Sequence, residues 1–248
     1  MRIRRTIRDL ARRFGYEISP YDGNPMGRDS QADIRFHLQA EQHPSPLIFD
    51  VGANVGQSID LFKKSMPGCR MISFEPCATT FELLNRKISQ EGIQGVRTEN
   101  LGMGSAKGRR TFREYSSSAM NSFLEPGADA AAYGELRRES MAEITTVDDY
   151  CAENGIERID VLKSDAQGLD LEVFQGASRM FREHRVHLVL VEVVFSAIYQ
   201  KQASALELLH FMEQAGLRLV SFYRFVYLRG EASWTDALFV DPAFIGRD

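Results

Sequence analysis

The 248 residues carry a formal net charge of −4, with 44% hydrophobic and 26% charged side chains. That length and balance read as one large soluble domain able to bury a full core, and no apolar run approaches the roughly 20 residues of a membrane span. The acidic balance disfavours nucleic acid as the main partner, and three cysteines without a C-x-x-C pair indicate neither a disulfide framework nor a zinc site.

Residues 1–14 set Ile3, Ile7, Leu10 and Phe14 at helical spacing, with six arginines covering the other faces. This segment carries +5 and the rest of the chain −9. It reads first as a helix docked on the domain or on a second subunit. The competing reading is a peripheral contact with an anionic membrane or a polyanionic substrate. The basic start has no apolar signal core behind it, so the expected location is the cytoplasm, with the inner face of the membrane as the variant that uses this helix. Residues 15–30 read as a connecting loop and 29–42 as a helix carrying His37, placed to cover a ligand cleft. His43-Pro44-Ser45-Pro46 ends it, which makes residues 1–46 an N-terminal helical extension and 47–248 the main domain.

Leu47-Ile48-Phe49 is a short apolar run closed by Asp50, and Gly52 and Gly56 bracket a turn into a helix over 58–64. A glycine turn between strand and helix lets the backbone approach a ligand at the helix N-terminus. The dinucleotide spacing G-x-G-x-x-G fails here, because Asn54 and Gln57 stand where glycines are needed. Asn54 tolerates positive φ and can hold a glycine's place. Arg70 to Phe74 is a second strand, closed by Glu75, and an acid there suits the two hydroxyls of a ribose. Residues 77–90 read as a helix. Residues 95–102 read as a third strand, in which Asn100, with Leu101, is a candidate adenine contact. Arg109 to Tyr115 alternates like a strand. The polar stretch 116–143 lacks core periodicity and reads as a substrate-side insertion.

Thr146 is a candidate N-cap with Asp149 three residues on. Ile159 to Leu162 is a strand ending in Lys163, Ser164 and Asp165, followed by Gly168. Lys163 and Asp165 alternate onto one side at the end where α/β sheets bind ligands. Val186 to Phe195 is an apolar strand carrying one acid, Glu192, which needs a partner, and Lys163 is the candidate. Residues 203–216 form a helix with Leu206, Leu209 and Met212 inward. Residues 217–228 and 234–240 are expected as an antiparallel edge hairpin joined at Arg229-Gly230-Glu231.

Five of these segments in this order resemble the FkbM family of S-adenosylmethionine (SAM)-dependent methyltransferases. They are Asp50 to Gly56, Phe74-Glu75-Pro76, Ser118 to Phe123, Thr146 to Tyr150, and Leu162 to Gly168 with Leu171-Glu172-Val173 and Gly176-Ala177 following. The similarity runs from about residue 47 to the end, and Gln167 departs from it where many members carry Glu. It implies a Rossmann-like class I methyltransferase α/β sheet, mostly parallel, with the antiparallel C-terminal hairpin and the helical extension. It also implies O-methylation, often of sugar hydroxyls in bacterial glycans or of natural products. On that basis Asp50, Gly52, Asn54 and Gly56 would seat the methionine end of SAM. Glu75 would take the ribose, Asn100 and Leu101 the adenine, and Asp165 the cofactor amine or the acceptor proton. Lys163 and Glu192 would be an acid–base pair, with Lys163 as base. Asp165 and Glu192 are hard oxygen donors, yet no dedicated cluster accompanies them and no metal is expected. The competing classes are an NAD-linked oxidoreductase, a non-catalytic scaffold of the same fold, and O-methylation of RNA.

Overall fold

A computed structural model describes residues 26–130 and 134–245. The amphipathic segment 1–14 and most of the loop after it lie outside the described residues. The body is a sheet in which β3(Val96–Glu99), β2(Arg70–Phe74), β1(Leu47–Val51), β7(Ile159–Ser164) and β8(Val186–Val194) run parallel in that spatial order. β11(Glu231–Val240) continues it antiparallel to β8 and carries both β9(Arg218–Phe222) and β10(Val226–Leu228) on its far side. A mixed α/β sheet with this parallel centre is the Rossmann-like class I architecture that the motifs imply.

Every residue of β1 is buried, because helices cover both faces of the sheet. Alternation along the strand sends Phe49 to one layer and Ile48 to the other. Phe49, Phe74 and Tyr150 pack with ring centroids 4.9–5.8 Å apart beneath α4(Val147–Asn154). On the opposite face Ile48, Ile59, Phe62, Met71 and Leu84 pack under α2(Gln57–Ser65) and α3(Ala78–Glu91). The expected cap at Thr146 is present: its hydroxyl accepts the Asp149 N–H at 3.0 Å. A smaller sheet of β4(Gly102–Met103), β6(Leu136–Thr145) and β5(Gly108–Tyr115) stands beside the parallel strand ends.

Several sequence-based boundaries change. The helix expected over 29–42 is α1(Ser30–His37); the Asp29 carboxylate caps it, and Gln39 at φ +48° breaks it. It packs on α2 through Gln31 and Ser65 and on Tyr223, whose hydroxyl donates to Asp33 at 2.8 Å. His37 borders a separate groove with Pro44 and His187, so this helix does not cover the ligand cleft. The strand expected over 95–102 stops at Glu99, and Gly102 joins the smaller sheet. The last eight residues of the expected insertion, 136–143, are strand: they belong to β6, which pairs with β5. Its first six residues are all exposed or half-buried, so no inward–outward alternation marks it in the sequence. The strand expected over 217–228 is two strands, and the hairpin turn at Arg229 and Gly230 uses positive φ at both positions. In α7(Ala205–Gln214), which opens on a Ser204–Glu207 capping box, Leu208 and Met212 are buried and Leu206 is exposed. Among the described residues no helix is long and apolar enough to cross a membrane.

Candidate active site

From β1 the chain builds outward through β2 to β3, then returns to place β7 and β8 on the other side of β1. The order reverses between β1 and β7, and that reversal opens a crevice at the C-terminal strand ends. A cavity of about 250 Å³ lies there, lined by Gly52, Asn54, Glu75, Leu101, Lys163 and Asp165 among others.

The first wall is the turn after β1. The Gly52 and Ala53 N–H groups both donate to the Phe74 carbonyl at 3.0 Å. Gly52 has φ +76°, and a Cβ placed there would fall 2.0 Å from the Asp165 carbonyl oxygen. Only glycine fits, because the β1 turn and the loop after β7 touch backbone to backbone. Asn54 takes φ +48° and donates its N–H to Glu75 Oε2 at 2.9 Å. Its side-chain Oδ1 is buried at the cavity without a hydrogen-bond partner. A buried acceptor left unpaired is unfavourable, so it marks a place for a donor from a ligand.

The second wall is Glu75, 5% exposed, whose Oε1 accepts the Cys77 N–H at 2.8 Å. Burial pushes its carboxyl up to about 7, against the two backbone N–H groups that favour the charge. Asn100 stands behind it, donating to the Glu75 and Pro76 carbonyls at 2.8 and 3.1 Å. Asn100 therefore holds the Glu75 loop from outside the cavity lining, while Leu101 lines it.

Lys163 forms the floor. Its ammonium lies 3.1 Å from Asp50 Oδ1 and donates to the Val51 and Gly52 carbonyls at 3.3 and 3.2 Å. Burial opposes that charge, but Asp50, with Asp165 behind it, raises the lysine well above its ordinary value. This corrects two expectations. The charged form is favoured over the free amine that the expected base would need, and the ion-pair partner is Asp50 and not Glu192. The register sets Lys163 opposite Leu190, while Glu192 sits opposite Asp236 on β11. Glu192 borders a different, small cleft with Asp170 and Gln202, and burial drives its carboxyl well up. Asp50 is 0% exposed and Gly56 turns the chain into α2, so both support the cavity from behind. Replacing Lys163 by Met leaves Asp50 buried and uncompensated, and is expected to reduce unfolding free energy by about 3–5 kcal/mol. Denaturant unfolding checks this: K163M within about 1 kcal/mol of wild type contradicts a pair of that weight, and D50N/K163M is expected to recover most of the loss.

Asp165 follows β7, lies 3.9 Å from Lys163, and keeps 37% of its side chain exposed. Its Oδ1 accepts from Gln167 Nε2 at 2.6 Å. Glu75 and Asp165 are the two acids of the lining; the first is held by backbone amides and the second is open. The remaining walls come partly from the 118–123 segment, which the sequence marked through the family resemblance but without a role for any one residue. Phe112 and Phe123, 4.8 Å apart edge to face, make an apolar side with Met103. Ser118 and Asn121 add neutral polar groups from the 116–123 segment, and Gln57 and Ser58 add others from the start of α2. The alternation around Phe112 and the 118–123 motif are the sequence signals that pointed to these walls.

The cavity can thus take a molecule with a flat apolar part, a hydroxylated part against Glu75, and a reacting centre near Asp165. Comparison with known proteins agrees with this chemistry. Residues 50–219 match the Methyltransferase FkbM domain. Methyltransferase sdnD of Sordaria araneosa is 27% identical, with 65% of this chain and 71% of its own covered. The 2-O-methyltransferase NoeI of Sinorhizobium fredii is 24% identical, with 71% of this chain and 75% of its own covered. Among solved structures the METTL16 methyltransferase domain superposes with a TM-score of 0.51 over 94% of this chain and 75% of its own, at 9% identity, a likeness of fold.

Proposed function

The chain belongs to the FkbM family of SAM-dependent methyltransferases, and from that premise we propose that it methylates a hydroxyl oxygen, that of a sugar in a bacterial glycan or glycosylated metabolite. When bound, SAM supplies an electrophilic methyl on a sulfonium. The residues present fit it. Glu75 offers two carboxylate oxygens to ribose hydroxyls, Asn54 Oδ1 is an unfilled acceptor for the methionine end, and Leu101, Met103 and Phe112 give the base an apolar edge.

For this chain's residues the chemistry reduces to alignment and one proton. An in-line displacement needs the acceptor oxygen held at the methyl and its proton removed as charge develops. Asp165 carries this reading, as the open carboxylate of the lining, beside a lysine that stays charged. Lys163, paired with Asp50, holds the strand ends together 3.9 Å from the Asp165 carboxylate. Ser118 and Asn121 are neutral donor–acceptor groups that suit a polyol better than a phosphate chain. NoeI, by its name, methylates a 2-hydroxyl. A screen of labelled SAM against methyl glycosides, small phenols and RNA tests the proposal. Label on a glycoside supports it, and label confined to RNA or phenols overturns it.

Glu75 adds a pH dependence. Burial pushes its carboxyl up to about 7, and a neutral carboxyl is a poorer acceptor for ribose. SAM binding is therefore expected to be about tenfold weaker at pH 6 than at pH 8, with proton release below pH 7. Calorimetry in buffers of different ionisation enthalpy measures both. E75Q should bind weakly with no such slope; a wild-type affinity flat across this range contradicts the role.

A further inference from the structure

We infer that Gln167 is a positioning residue that fixes the carboxylate of Asp165, and that Tyr199 holds Gln167 and ties it to the segment over the cavity. This rests on the reading of Asp165 as proton acceptor. Gln167 Nε2 donates to Asp165 Oδ1 at 2.6 Å, and the Tyr199 hydroxyl lies 3.0 Å from Gln167 Oε1 and 2.9 Å from the Met120 carbonyl. Ser122 closes the link from the other side, its hydroxyl donating to the Gln167 carbonyl at 2.7 Å.

The chemistry of the link selects an amide. Asp165 as a carboxylate can only accept, so the group between them must donate at one end and at the other accept its share of the single Tyr199 proton, which the Met120 carbonyl also takes. Glutamine does this, and a carboxylate would set two acceptors face to face. The backbone prepares the geometry: Gln167 lies at φ +50° and Gly168 at φ +89°, which folds the side chain back over Asp165. A Cβ on Gly168 would press Leu124 and Tyr199 at 3.0 Å, so the loop is packed against the anchor. Tyr199 is 3% exposed in the apolar cluster of Met120, Phe123, Leu124 and Leu169. Burial, with nearby acids, raises its phenol, so it stays a donor. With Oδ1 of Asp165 tied to Gln167, Oδ2 is the oxygen left beside Lys163 and the cavity. The consequence is coupling: Ser118, Asn121 and Phe123 line the cavity on the very segment that Tyr199 and Ser122 join to Gln167.

The test is a carboxyl ¹³C titration of Asp165 in the full chain, with D165N assigning the signal and SAM calorimetry alongside. The charged or titratable groups around Asp165 are Lys163, Asp170, Glu192, Asp236 and Tyr199, and all stay unchanged in Q167E and Q167N. Q167E brings a second carboxylate against Asp165, and its midpoint is expected about one pH unit or more above wild type. Q167N keeps a residue that tolerates the left-handed backbone but shortens the reach, and Y199F keeps the ring and loses only the hydroxyl. Both are expected to move the Asp165 signal while SAM affinity stays within about twofold, a change of less than about 0.5 kcal/mol. An Asp165 titration unmoved in all three variants overturns the inference. Methyl transfer by D165N separates the two layers. If D165N is inactive and the three variants leave the titration unmoved, the positioning inference fails alone. If D165N transfers methyl as well as wild type, the proton-acceptor reading falls, and the role for Gln167 falls with it.

Discussion

Replacing Asp165 by Asn is expected to lower turnover by roughly 10²–10⁴-fold, the usual weight of a positioned general base. SAM affinity should change by less than about threefold, because Asn keeps the shape and its side-chain carbonyl oxygen can still accept from Gln167 Nε2. The split follows from the site. Glu75, Asn54 and the Gly52 turn are the residues proposed to hold the cofactor, while Asp165 is the open carboxylate of the cavity, 3.9 Å from Lys163. Single-turnover rates with saturating SAM, set beside calorimetric affinity, make the measurement. A D165N enzyme that turns over normally removes Asp165 from the chemistry. One that fails only through lost SAM affinity places it on the cofactor instead.

The second large effect is at Gly52. G52A sets a methyl 2.0 Å from the Asp165 carbonyl oxygen at φ +76°, so either the β1 turn or the loop after β7 must move. The left-handed backbone costs an alanine about 1–2 kcal/mol and the overlap a further 1–3. We expect G52A to lose about 2–5 kcal/mol of stability and at least tenfold in SAM affinity, since the displaced loop carries Asp165 and the displaced turn carries Asn54. Gly92 provides the comparison. It is also left-handed, at φ +63°, but a Cβ there meets nothing within 4 Å. G92A should show the conformational penalty alone and bind SAM normally. Equal behaviour of the two variants would mean that the contact between turn and loop has no bearing on the cofactor.

What was legible in the sequence was local. The β1 turn, the acid after β2 and the loop after β7 announce themselves because glycine and asparagine mark backbone that other residues avoid, and Gly52, Asn54 and Gly168 do take positive φ. The central strands are apolar runs because both faces are covered. The pairing of charges was not local. Lys163 and Asp50 are brought together only because β7 lies against β1, and the sequence carries no statement of strand order. Glu192 looked like the partner since β8 does neighbour β7, but register places it beyond Lys163 and beside Asp236. Asn100 sits at the right strand end, and its amide is taken up by the Glu75 and Pro76 carbonyls. The cavity's aromatic side was hidden for another reason. Phe123 lies between strands, in a stretch without periodicity, and β6 is too exposed to alternate. Gln167 drew notice only as a departure from the family pattern, and its bonds to Asp165 and Tyr199 depend on a tyrosine 32 positions away.

The measurement that bears most directly on the whole account is methyl transfer from SAM carrying ¹³C in its methyl group, followed by NMR of the products from a panel of methyl glycosides. The account predicts a ¹³C O-methyl resonance from a methyl on a sugar hydroxyl oxygen, formed by wild type and lost in D165N. A ¹³C-methyl found on nitrogen, or produced undiminished by D165N, would contradict it.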